Sequence, residues 1–107
     1  MSIKKKQGDS IWIDVTGDAL STVDEVWNNW TGSWAIAATI GGVPVVSGNL
    51  TKGTTIGAFQ IRIGASVMKD VAVGKYYLIV QVENTTVDYR QEIAQEKLEI
   101  VAQGIDP

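Results

Sequence analysis

Apolar and polar side chains alternate with period two through most of this chain, and that rhythm admits few folds. Ile11, Ile13 and Val15 share one face of a first segment, with Ser10, Asp14 and Thr16 on the other and Trp12 as the one apolar exception there. Phe59, Ile61 and Ile63 alternate with Gln60 and Arg62, the pattern of a half-buried strand. Tyr76, Leu78, Val80 and Val82 form one face of another, opposite Lys75, Tyr77, Ile79 and Gln81. Trp34, Ile36, Ala38 and Ile40 alternate with Ser33, Ala35, Ala37 and Thr39. Gly41-Gly42 then reads as a two-residue hairpin turn, because glycine supplies the positive φ such turns need. Val43–Leu50 is the expected return strand, marked by Pro44 as an edge or interrupted strand.

Helical signals are sparse. Ser66–Val71 suits a single turn, with Gly74 releasing the chain into the next strand, and Glu83–Thr86 reads as a tight turn. Ser21 and Asp24 have the spacing of a capping box, so a short helix is expected over Ser21–Trp30. Asp88–Val101 mixes helix formers with an apolar pattern out of phase for a plain strand. A strand with a bulge near Ala94–Glu96 is preferred there over a helix. About six or seven short strands with one or two helical turns, separated by turn signals, predict an all-β antiparallel sandwich of the Ig-like kind. At 107 residues with no linker or repeat, the chain reads as one domain, 1–107, with 1–9 and 102–107 as extended arms.

What the chain lacks narrows its chemistry. It has no cysteine and no histidine, which removes thiolate nucleophiles, the commonest general base and the commonest transition-metal ligands. The twelve carboxylates are scattered, Asp24-Glu25 being the adjacent pair, and no segment has calcium-loop spacing. Gly48–Thr55 lacks the order of a phosphate loop. No enzyme, cofactor or metal site is therefore expected. A net charge of −3 speaks against nucleic acid as partner, and Lys4-Lys5-Lys6 reads as a solvated terminus. No segment reaches a membrane span, and Gln7-Gly8-Asp9 stands where a signal peptide would need apolar residues.

Four tryptophans fall in the first third: Trp12, Trp27, Trp30 and Trp34. They suit core filling, a protein interface or a sugar-stacking platform, and Trp27 and Trp30, beside Asn28 and Asn29, are the expected exposed pair. Ala35, Ala37, Tyr77 and Ile79 leave apolar or small residues opposite the expected core, and strands apolar on both faces pack on both. Candidate partner contacts are therefore Trp27, Trp30, Ala35, Ala37, Tyr77 and Ile79.

Taken in order, several segments resemble a short Ig-like domain that recurs in tailed-phage structural proteins. They are Gln7-Gly8-Asp9 opening into the strand around Trp12, Trp34–Ile40, Gly57–Ile61, Val73–Val82 with its Gly-x-Tyr, and Leu98–Val101. The chain is similar to the N-terminal domain of phage baseplate upper proteins and to small head or tail accessory proteins. The tryptophan-bearing stretch Ser21–Thr31 departs from that pattern. The resemblance implies a virion component made in the bacterial host cytoplasm. It would bind other virion proteins as a homo-oligomer or symmetric lattice. A carbohydrate- or receptor-binding sandwich using Trp27 and Trp30 is the alternative.

Overall fold

A computed structural model describes residues 2–16, 29–53 and 58–102. The expected helix at Ser21–Trp30 lies mostly outside these residues. Among them the strands are β1 (Ser2–Lys6), β2 (Ile11–Thr16), β3 (Trp30–Ala37), β4 (Val46–Asn49), β5 (Thr51–Lys52), β6 (Ala58–Ile63), β7 (Gly74–Asn84) and β8 (Tyr89–Val101). One helical turn, α1 (Ala65–Met68), precedes β7, and a 3-10 turn, Thr85–Val87, follows it. The strands form a five-stranded sheet, β1-β8-β7-β3-β4, and a three-stranded sheet, β2-β6-β5. The all-β sandwich read from the alternation is what the chain adopts.

The apolar phases dictate the layers. Ile11, Phe59, Ile61 and Ile63 from the small sheet meet Trp30, Trp34, Ile36, Leu78, Val80, Val82, Leu98 and Ile100 from the large one, all buried. Met68 and Val71 close one end of this core from the connection between β6 and β7. Two glycines allow close approach within it. A Cβ at Gly48 would lie 2.7 Å from the Trp34 ring, and one at Gly32 would lie 2.4 Å from Leu50.

The sheet order reproduces an immunoglobulin arrangement, with β2-β6-β5 in the places of strands B, E and D and β8-β7-β3-β4 in those of G, F, C and C′. Two side chains deepen the correspondence. Trp34 is a buried tryptophan on the C-like strand, and the Tyr76 hydroxyl, at the start of the F-like strand, donates 2.7 Å to the Ala72 carbonyl. That bond is the tyrosine corner of such folds. Leu78, two residues on and fully buried, stands where antibody domains carry their second cysteine. Core packing replaces the disulfide. Tyr76→Phe, which keeps the ring and deletes this bond, is expected to cost about 1 kcal/mol in urea unfolding; an unchanged midpoint would remove the corner from the stability account.

Several expectations need correction. The sandwich is not purely antiparallel: β1 pairs with β8 in parallel, Ser2 opposite Lys97 through Lys6 opposite Val101. Residues 2–6 are thus a sheet strand and not an arm. Lys4-Lys5-Lys6 lies within that strand, with the Lys4 ammonium 4.0 Å from the Glu99 carboxylate. After β1 the chain turns through Gly8, at φ 90°, and crosses to the other sheet. The hairpin between β3 and β4 is also longer than two residues. Gly41 alone of the glycine pair has positive φ, at 78°, whereas a tight primed turn of that type needs both. The strands end at Ala37 and resume at Val46, leaving Ala38, Ile40 and Pro44 in a loop. Asp88–Val101 forms strand rather than helix, and its bulge sits at Ile93, just before the expected place. There Val80 faces Ala94 and Gln81 faces Glu92.

Candidate functional site

The outward face of the large sheet can be laid out row by row from the pairing registers, because directly opposed residues share a face. Nearest the β6–β7 end, Lys4, Glu99 and Lys75 stand in one row. Lys97, Tyr77 and Ala37 follow, then Gln95, Ile79, Ala35 and Ser47. Glu92, Gln81, Ser33 and Asn49 come next, and Arg90, Glu83 and Thr31 complete the face. The expected quartet is brought together: Ala35 opposes Ile79 and Ala37 opposes Tyr77. Ala35, Tyr77 and Ile79 are half-buried, but Ala37 is only 1% exposed, so as a contact residue it offers almost no surface. Charge is uneven along this face. Lysines 4, 75 and 97 crowd one end around Glu99, while Glu83 and Glu92 lie toward the other, where the Arg90 guanidinium is 3.6 Å from Glu83. A depression of about 490 Å³ at the lysine end is lined by Lys4, Lys75, Tyr77, Lys97 and Glu99 among others.

The tryptophan expectation fails for Trp30. It is fully buried as the first residue of β3, its ring edge-on to Tyr89 at a centroid distance of 5.5 Å. Its carbonyl accepts from the Lys52 ammonium at 2.9 Å. Phase explains the miss: Trp30, Trp34 and Ile36 all fall on even positions of one strand, so Trp30 points where they do. Trp27 lies outside the described residues. Among the described residues the exposed tryptophan is Trp12, at 64%, on the outward face of the small sheet. Its cross-strand partner Arg62 stacks over the ring, 5.0 Å from the centroid. Beside them Gln60 donates to Asp14 at 2.8 Å and accepts from Arg62. The signal was present in the sequence, since Trp12 alternates against Ile11 and Ile13.

A third surface was not foreseen. Among the described residues, the large hydrophobic side chains left exposed are Trp12 and five aliphatics: Ile40, Val43, Val45, Val67 and Val73. All five aliphatics belong to connections at one end of the sandwich, the β3–β4 loop and the link from β6 to β7. Val43 reaches 89% exposure. The loop that carries Ile40, Val43 and Val45 is tied at its base by the Val45 amide, which donates to Ile36, and at its tip by Gly42 to Thr39. Val71, buried beneath, anchors the second connection.

Along one side the sandwich gapes. β1 covers β8 only from Lys97 to Val101, and a cleft of about 460 Å³ opens beside the rest of that strand, lined by Ile13, Val15, Leu78, Val80 and Ile93 among others. Among the described residues no three acidic side chains converge where they would hold a metal ion. No helix among them is long and apolar enough to cross a membrane. Compared with protein-family models and with the curated proteins, the chain matches none.

Proposed function

We propose that this chain is a structural or accessory component of a tailed-phage particle, in the tail, baseplate, head–tail connector or capsid decoration, acting by protein–protein contacts. The observation that carries this reading is the cluster of Ile40, Val43, Val45, Val67 and Val73 at one end of an Ig-like sandwich. Exposed aliphatics gathered in one place mark contact surface rather than scattered surface apolarity. The loops bearing them hang from a rigid, hydrogen-bonded frame, the usual division of labour in a sandwich that binds through its loops. The segments that resemble phage Ig-like domains supply the particle as the setting. The test is mass spectrometry of particles purified from the strain or phage that encodes the chain. Finding it in a fixed ratio to other particle proteins supports the reading, and finding it only in the unassembled fraction overturns it.

A second reading rests on Trp12. An exposed indole flanked by Arg62, Gln60 and Asp14 has the parts of a sugar-stacking site: a flat apolar surface with hydrogen-bonding groups beside it. Under this reading a glycan array gives binding that Trp12→Ala abolishes while the unfolding free energy stays within about 0.5 kcal/mol of the parent. An empty array, or binding that survives Trp12→Ala, removes it.

A further inference from the structure

We propose that the outward face of the five-stranded sheet is a two-fold interface between two copies of this chain. The inference takes protein–protein contact as the mode of action from the reading above and names a partner for a second surface, the outward sheet face.

The argument is the order of charges along the face. Place a two-fold axis in the plane between two facing sheets, perpendicular to the strands and running along the row Gln95–Ile79–Ala35. The operation lays β7 over β7 and β8 over β8 with their ends exchanged. Ile79 then meets Ile79 of the partner copy and Ala35 meets Ala35, an apolar centre on the axis. One row away, Lys97 faces Glu92 of the partner copy. Two rows away, Lys75 faces Glu83 of the partner copy and Glu99 faces its Arg90. The six outlying charges on β7 and β8 thus form three opposite-sign matches, and the symmetry makes every match twice. Turning the axis to run along β7 instead stacks Lys75 on Lys75 and Glu83 on Glu83, which like-charge repulsion disfavours.

Dimensions agree with such a contact. Facing sheets pack about 10 Å apart with their strands inclined by about 30°, a gap and tilt that lysine, arginine and glutamate side chains span. Under this axis the copies overlap mainly on β8, β7 and β3, and three strands of about 4.8 Å by five rows of about 6.8 Å give roughly 500 Å² per copy, or about 1,000 Å² in all. That is the lower end of specific interfaces and predicts a dimer that dissociates in the micromolar range.

The absence of cysteine makes the test clean. Sedimentation velocity of the full chain at about 100 μM is expected to show dimer that dissociates on dilution. Ile79→Cys, lying on the axis, is expected to cross-link to itself with a short bismaleimide whose span matches the gap of about 10 Å between the sheets, a gap too wide for a direct disulfide. Lys75→Cys and Glu83→Cys are expected to cross-link with the same reagent when mixed and not when treated separately. Lys97→Glu is expected to raise the dimer dissociation constant about tenfold, and adding Glu92→Lys in the same chain to restore it. Circular dichroism of each variant confirms that the sandwich is intact. A parent chain that stays monomeric to about 1 mM overturns the proposal. So does a dimer in which Ile79→Cys fails to cross-link or the double reversal fails to rescue. Either result leaves the particle assay above free to succeed, so the two readings fail separately.

Discussion

Replacing Trp30 with alanine is expected to lower stability by about 3–5 kcal/mol, which for a chain of this size moves the thermal midpoint down by about 12–20 °C. The magnitude follows from position. The ring is fully buried at the end of the core, in edge-on contact with Tyr89, and lies opposite Asn84 in the β3–β7 ladder. Asn84 is itself buried and accepts from the Thr86 amide at 3.1 Å, holding the 3-10 turn that reverses the chain into β8. Truncation leaves a cavity bounded by rigid strands, and such a site relaxes little. Chemical denaturation of Trp30→Ala measures the effect. A loss below about 1 kcal/mol would contradict the burial, since that is the range of exposed positions. Trp30→Phe, which keeps most of the apolar contact, is expected to fall between the two.

Removing residues 1–6 has the second large effect. With β1 gone, the β8 edge from Lys97 to Val101 is unpaired, and Leu98 and Ile100, each 1% exposed in the intact chain, lose their cover on that side. The lost ladder and the half-buried Ile3 side chain together are expected to lower stability by about 2 kcal/mol, net of the conformational entropy that ordering β1 costs the intact chain. A bare edge is also a template for another strand, so the truncated chain is expected to aggregate on heating where the full chain refolds. Lys4→Gln separates strand pairing from charge. The Lys4–Glu99 pair is exposed and 4.0 Å long, and its loss is expected to change stability by less than about 0.5 kcal/mol. A truncation as mild as Lys4→Gln would return residues 2–6 to the status of an arm.

The contrast between these two segments shows what the sequence could carry. Ile11-Ile13-Val15, Phe59-Ile61-Ile63 and Tyr76-Leu78-Val80-Val82 announce their inward faces by phase, and the structure keeps each phase. Trp30 and Trp12 were equally legible by that rule. Both are obscured by neighbourhood: Asn28 and Asn29 beside Trp30 have the chemistry of a loop, and Trp12 stands among the core-facing aliphatics Ile11 and Ile13. β1 is different in kind. Ser-Ile-Lys-Lys-Lys holds one aliphatic residue, and its partner lies more than ninety residues away in parallel. Local pattern has no access to such a pairing, which is set by where the opposite end of the chain comes to rest. Three of the five exposed aliphatics were hidden for a third reason. Ile40, Val43 and Val45 continue the alternation of strands that end earlier, and only the actual length of the β3–β4 loop turns them outward.

The parallel seam between β1 and β8 also sets how the domain answers a mechanical pull. Tension applied through the start of β1 and the end of β8 draws two side-by-side strands past each other along their length. The five registered positions from Ser2–Lys97 to Lys6–Val101 then carry the force together and in shear. A hairpin pulled apart at its open end yields rung by rung at low force, but this seam has no rung that goes first. Its extension under tension is expected to be a threshold event, governed by one rupture and the unfolding rate that rupture sets.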